Sequence, residues 1–157
     1  MGPMRTNLRG GARTHVEDPD EEEQARLRYG ASIPVDWIGD ALDPYQRPRS
    51  QRSNGLVLLT VLCSRAARRR PEPFATVQLG IVPLPDRAVT ISWRDPDLID
   101  DTRGGGDNRA RSPPGIALEI LAANMEIFRR DLHEIHDHST FEEEELRGSL
   151  TGGALAT

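Results

Sequence analysis

The stretch that decides the fold class is Ala75–Trp93, "ATVQLGIVPLPDRAVTISW". Val77, Leu79 and Ile81 alternate with Thr76, Gln78 and Gly80, and after "PLPDR" Val89, Ile91 and Trp93 alternate with Thr90 and Ser92. Alternation at period two predicts a half-buried strand, and two such strands joined by a short Pro-rich turn predict an antiparallel pair. Just upstream, Gly55–Cys63, "GLVLLTVLC", is apolar without interruption, as in a strand covered on both faces. The Arg-rich segment "SRAARRRPEP" joins it to the pair, so the economical topology is a three-stranded antiparallel meander.

Downstream the period changes from two to about three and a half. In Gly115–His138, "GIALEILAANMEIFRRDLHEIHDH", Leu118, Leu121, Met125, Phe128, Leu132 and Ile135 recur at spacings of three and four. That keeps them on one stripe of a helix. Ile116, Ile120, Ala123 and Ile127 form a second stripe on its first half. Ser112 is placed to cap this helix, with Pro113 and Pro114 in its first turn, and Glu126 stands four residues before Arg130 in the favourable order. The helix should cover the meander through Val77, Leu79, Ile81, Val89, Ile91 and Trp93. One apolar stripe then remains without a cover.

Shorter helices are expected at the N-terminal side. Asp18 and Pro19 in "EDPDEEEQARLRYG" read as a cap and first turn, with acids at the positive end of the helix dipole. "SIPVDWIGDALDP" offers Ile33, Trp37, Ile38 and Leu42 on one side before Asp43-Pro44 stops it. The predicted fold is therefore α+β: a three-stranded antiparallel meander packed by a long C-terminal helix, with short N-terminal helices and flexible termini. Residues 1–17 are expected to be a flexible arm and 18–138 a single domain with a mobile loop at 95–113. Residues 139–157 are expected to be a short acidic helix and tail, capped by Ser139 or Thr140 and ended by Gly148.

All 20 basic residues are arginine, a pattern that a GC-rich coding sequence accounts for. The net charge of −5 is segregated, at −4 over residues 1–45, +5 over 46–111 and −6 over 112–157. No run is long and apolar enough to span a bilayer, no apolar leader precedes the fold, and Cys63 is the only cysteine. These features predict a cytoplasmic protein that binds no membrane.

His133, His136 and His138 lie close together, but two histidines three apart miss the HExxH spacing and the cysteine is far away. Their place at a helix end explains them without a metal. The glycine cluster "TRGGGDNR" fits neither nucleotide-loop pattern, and no GxSxG occurs. No cofactor and no catalytic residue is expected. Arg47, Arg49, Arg52, Arg65, Arg68, Arg69 and Arg70 could neutralise phosphates, although the interleaved aromatics of single-strand binders are missing.

The expected function is a non-enzymatic protein-interaction or assembly subunit. It would self-associate into a homodimer or larger oligomer, or bind another protein, through Leu118, Leu121, Met125, Phe128, Leu132 and Ile135. The alternative is a nucleic-acid-associated protein using the arginine-rich segments 47–52 and 65–70. A metal-dependent enzyme built on the three histidines comes third.

Overall fold

Two strands that carry almost no apolar signal flank the predicted meander. The computed structural model describes residues 13–66, 74–96, 98 and 112–154. Its order is β1 (Arg13–Glu17), α1 (Glu21–Ala25) running into one wide π turn (Arg26–Gly30), α2 (Val35–Leu42), β2 (Arg49–Ser53), β3 (Leu56–Ala66), β4 (Phe74–Pro83), β5 (Ala88–Ser92) and α3 (Pro113–Ala154). The sheet has five strands in the order β1-β5-β4-β3-β2. β3, β4 and β5 make the antiparallel meander.

β2 joins β3 through Asn54-Gly55, both at positive φ, which is the two-residue hairpin turn that this pair favours. β1 pairs parallel with β5, so the sheet is mixed and larger than the three strands expected. "RSQRS" has no apolar residue to alternate, and "RTHVE" has one, Val16, which is buried. The expected arm thus ends in a strand.

Register corrects the predicted core. Gly80 pairs with Ile91 and Val82 with Val89, so Val89 and Ile91 of β5 share a face with the even positions of β4. Leu79 and Ile81 face α3 with Cys63, Ala88, Leu98, Ile116, Ala117 and Ile120. Val89 and Ile91 lie on the opposite face with Trp37, Ile38 and Ala41 of α2, Leu58 and Val82. Four of the six residues expected under the long helix are therefore divided between two cores, Leu79 and Ile81 on one face and Val89 and Ile91 on the other, and the domain has three layers. Trp93 lies past the end of β5, half-buried, with the Arg94 guanidinium 4.3 Å from its ring centre.

Close approach of α2 to the sheet depends on one glycine. A Cβ at Gly80 would lie 2.6 Å from that of Ala41, nearer than two carbons can come. At the other end of this layer the cap of α1 is Asp20. Its carboxylate accepts from Glu23 N at 2.8 Å while the Glu23 side chain accepts from Asp20 N at 3.1 Å. This capping box displaces the expected cap at Asp18, which takes a left-handed φ of 43° just before buried Pro19.

α3 begins as predicted, with Ser112 Oγ accepting from Gly115 N at 3.2 Å. It does not end at His138. The 42-residue helix, about 63 Å long at 1.5 Å per residue, runs through Ser139, Thr140 and Gly148 without a break. Thr140 turns its hydroxyl back onto the His136 carbonyl at 3.0 Å instead of capping a new helix. No described helix is long and apolar enough to cross a membrane.

Candidate functional site

The candidate site is α3, at the point where it leaves the sheet and along the side that it leaves open. Up to Asp131 the helix is anchored. Ile116, Ala117 and Ile120 enter the core, and Leu121, Ala123 and Ile127 pack at its margin. Two polar side chains then fasten it to β3 beyond Thr60, the last residue that β2 pairs. Asn124 Nδ2 donates to the Leu62 carbonyl at 2.8 Å, and the Ser64 hydroxyl donates to the Asp131 carboxylate. Both bonds take up groups on a stretch of strand whose neighbour has ended. From Leu132 onward every side chain described is exposed.

The residues proposed from sequence as an interface lie to the side of the buried stripe. Leu118, Met125 and Leu132 are 66 %, 73 % and 62 % exposed; Ile135 is also exposed, while Leu121 and Phe128 are half-buried. The spacing continues past the predicted end of the helix through Ser139, Glu142, Leu146 and Ser149, and Leu146 is exposed as well. Leu146 is the member that sequence reasoning misses, because Ser139 and Thr140 read as the cap of a new helix. Glu126 pairs with Arg129, at 2.5 Å, and not with the expected Arg130. Arg130 lies 3.8 Å from Asp131.

The arginines do not converge. Arg49 donates to Asp40 of α2 at 2.5 Å, and Gln46 and Gln51 donate to the same carboxylate at 2.8 Å each. Burial raises the Asp40 pKa, but the bonds from Gln51, Arg49 and Gln46 outweigh it and hold the carboxyl below its ordinary value. Arg49 thus ties edge strand β2 to α2. Arg47 and Arg52 are exposed, and Arg65 is half-buried with an Nε that has no hydrogen-bond partner. Arg68, Arg69 and Arg70 lie outside the described residues.

His133, His136 and His138 are spread along exposed helix, with His138 Nε2 3.5 Å from Glu142. Among the described residues no three His, Cys, Asp or Glu side chains come together as metal ligands. Cys63 is fully buried, and desolvation pushes its thiol up to about 12, so it is protonated and inert at neutral pH.

No family model matches the sequence, and no curated protein matches it. The fold does have solved counterparts. It is similar to the soluble domain of CorA from Methanocaldococcus jannaschii, with a TM-score of 0.70 at 21 % identity over 85 % of this chain and 54 % of that one. The complete CorA magnesium transporter from the same organism gives 0.70 at 20 % identity, over 85 % and 43 %. The full-length CmaX protein gives 0.64 at 18 % identity, over 80 % and 39 %. At these identities the likeness establishes the fold, and the chain spans about half or less of each of these structures.

The likeness overturns the expectation of a generic non-enzymatic interaction or assembly subunit. Two of the structures that share this fold are a magnesium transporter and its soluble domain. It lends no support to the nucleic-acid alternative.

Proposed function

We propose that the chain is the soluble domain of a CorA-like magnesium transport system, placed on the cytoplasmic side of the membrane. The observation that carries this reading is the match to the CorA soluble domain over 85 % of the chain. About half of that soluble domain lies beyond the matched part, so the shared unit is one part of a larger domain. In this reading the sheet and α2 form a rigid body, and α3 is the element that links it to other helices.

Leu118, Leu121, Met125, Phe128, Leu132 and Ile135 are the surface proposed for that contact. An apolar stripe at this spacing, exposed at Leu118, Met125, Leu132 and Ile135, is suited to a helical neighbour. The test is a chimera in which this chain replaces the matched segment of the M. jannaschii transporter, assayed by magnesium uptake in cells that lack their own uptake system. Uptake is expected to persist, and to fall when Met125→Glu and Leu132→Glu are added. A chimera that reaches the membrane at normal abundance yet carries no magnesium would overturn the proposal.

A further inference from the structure

The tip of the β2–β3 hairpin carries a chemistry that the sheet does not use. Asn54 is the one asparagine of the chain that precedes a glycine, and both residues are exposed. A Cβ built on Gly55 would meet no atom within 4 Å, so nothing shields the backbone on that side of the turn. The ladder bonds at such a turn belong to its flanking pair, here Ser53 and Leu56.

We infer that Asn54 is a site of spontaneous deamidation, and that the hairpin and the Asp40 tie together decide when it reacts. The Gly55 backbone nitrogen gives up its proton and attacks Cγ of the Asn54 carboxamide. A C–N bond forms, the bond to the side-chain nitrogen breaks, and that nitrogen leaves with the proton as ammonia. Water then opens the imide ring at one of its two carbonyls. Opening at Cγ leaves aspartate. Opening at the backbone carbonyl leaves isoaspartate, in which the main chain runs through Cγ and is one carbon longer.

Ring closure needs the Gly55 nitrogen near Cγ, and the folded turn withholds it. The positive φ values, 50° at Asn54 and 79° at Gly55, are those of a type I′ turn, whose first residue also has positive ψ. That ψ points the Gly55 nitrogen away from the Asn54 side chain. Reaction therefore waits for the hairpin to open, and opening is resisted where Arg49 and Gln51 of β2 donate to Asp40 of α2. The isoaspartate product does not revert. Its longer backbone no longer fits the turn that fixes Arg49–Ser53 against Leu56–Thr60, so the edge strand is released.

The test follows the full chain at mildly alkaline pH, folded in one arm and in denaturant in the other. Peptide mass mapping measures conversion of Asn54, and labelling by a protein-isoaspartate carboxyl methyltransferase scores the isoaspartate. The denatured chain should convert, and the folded chain at least roughly tenfold more slowly. Asn54→Gly, which keeps a turn of this type, should abolish the labelling. Arg49→Ala should raise the folded rate roughly twofold to fivefold, the worth of a half-exposed ion pair, and leave the denatured rate unaltered. A denatured chain that keeps its Asn54 amide would remove the site. Equal rates in the two arms would remove the gate, and an unaltered folded rate in Arg49→Ala would remove the part of the tie in it.

Discussion

The two halves of α3 have similar lengths and one continuous backbone, yet different physics holds each of them. Residues 113–131 are helical because a sheet lies beneath them: Ile116 and Ile120 are buried, and Asn124 and Asp131 bond to β3. Residues 132–154 have no such support, and their order depends on intrinsic propensity and on whatever covers the seam. Composition alone does not separate the halves, since leucines occur in both. What separates them is whether an apolar stripe meets a surface of this fold.

The largest way to break that contrast is to empty the anchored half. Ile120→Ala removes a fully buried side chain and should lower the unfolding free energy by about 3 kcal/mol, read by chemical denaturation. A loss below about 1 kcal/mol would mean that the core on the α3 face is looser than its burial implies. Gly80→Ala tests the opposite layer. The added carbon forces α2 off the sheet, at a cost of about 1–3 kcal/mol by the same measurement. Wild-type stability in that variant would mean that α2 shifts freely.

A smaller effect, and one that depends on pH, belongs to Asp40. Its pKa is lowered in the folded protein, so its contribution is fully present above the ordinary carboxylate range and is lost as the pH falls through the lowered folded value. The stability difference between wild type and Asp40→Asn should therefore be greatest near neutrality and vanish in acid. A constant difference across the pH range would show that the Arg49 and Gln51 bonds do not depend on the charge.

In the unsupported half the effects are expected to be small and of either sign. Gly148→Ala should strengthen the distal helix by about 1 kcal/mol, seen as slower amide exchange over residues 140–152 with no change in the sheet. Leu146→Ser should change global unfolding by less than about 0.5 kcal/mol. A larger loss would mean that the extension folds back onto its own domain.

Legibility in the sequence followed the strength of local periodicity. β4 and β5 were visible because one face of each is apolar at every second residue, and the first half of α3 because two stripes repeat along it. β1 and β2 were not, since an edge strand such as Arg49–Ser53 gains its place from backbone pairing and from the Asn54-Gly55 turn, and neither needs an apolar residue. The seam of Leu118 to Ile135 could be listed from spacing alone. Its continuation to Leu146 was hidden by Ser139-Thr140, a cap in one context and a back-bonded helical pair in this one.

By itself, then, the sequence determined the mixture of strand and helix, the capping of α3 at Ser112 and the presence of one apolar stripe too many. Tertiary structure decided which strand residues meet α3, because register pairs Gly80 with Ile91 and sends Val89 and Ile91 to the face opposite Leu79 and Ile81. It also decided what the arginines do: Arg49, which looks like a phosphate contact in one dimension, is neutralised by Asp40, nine residues away along the chain. The physical reason is the same in both cases. Periodicity is a property of neighbours in sequence, whereas burial and charge pairing are properties of neighbours in space.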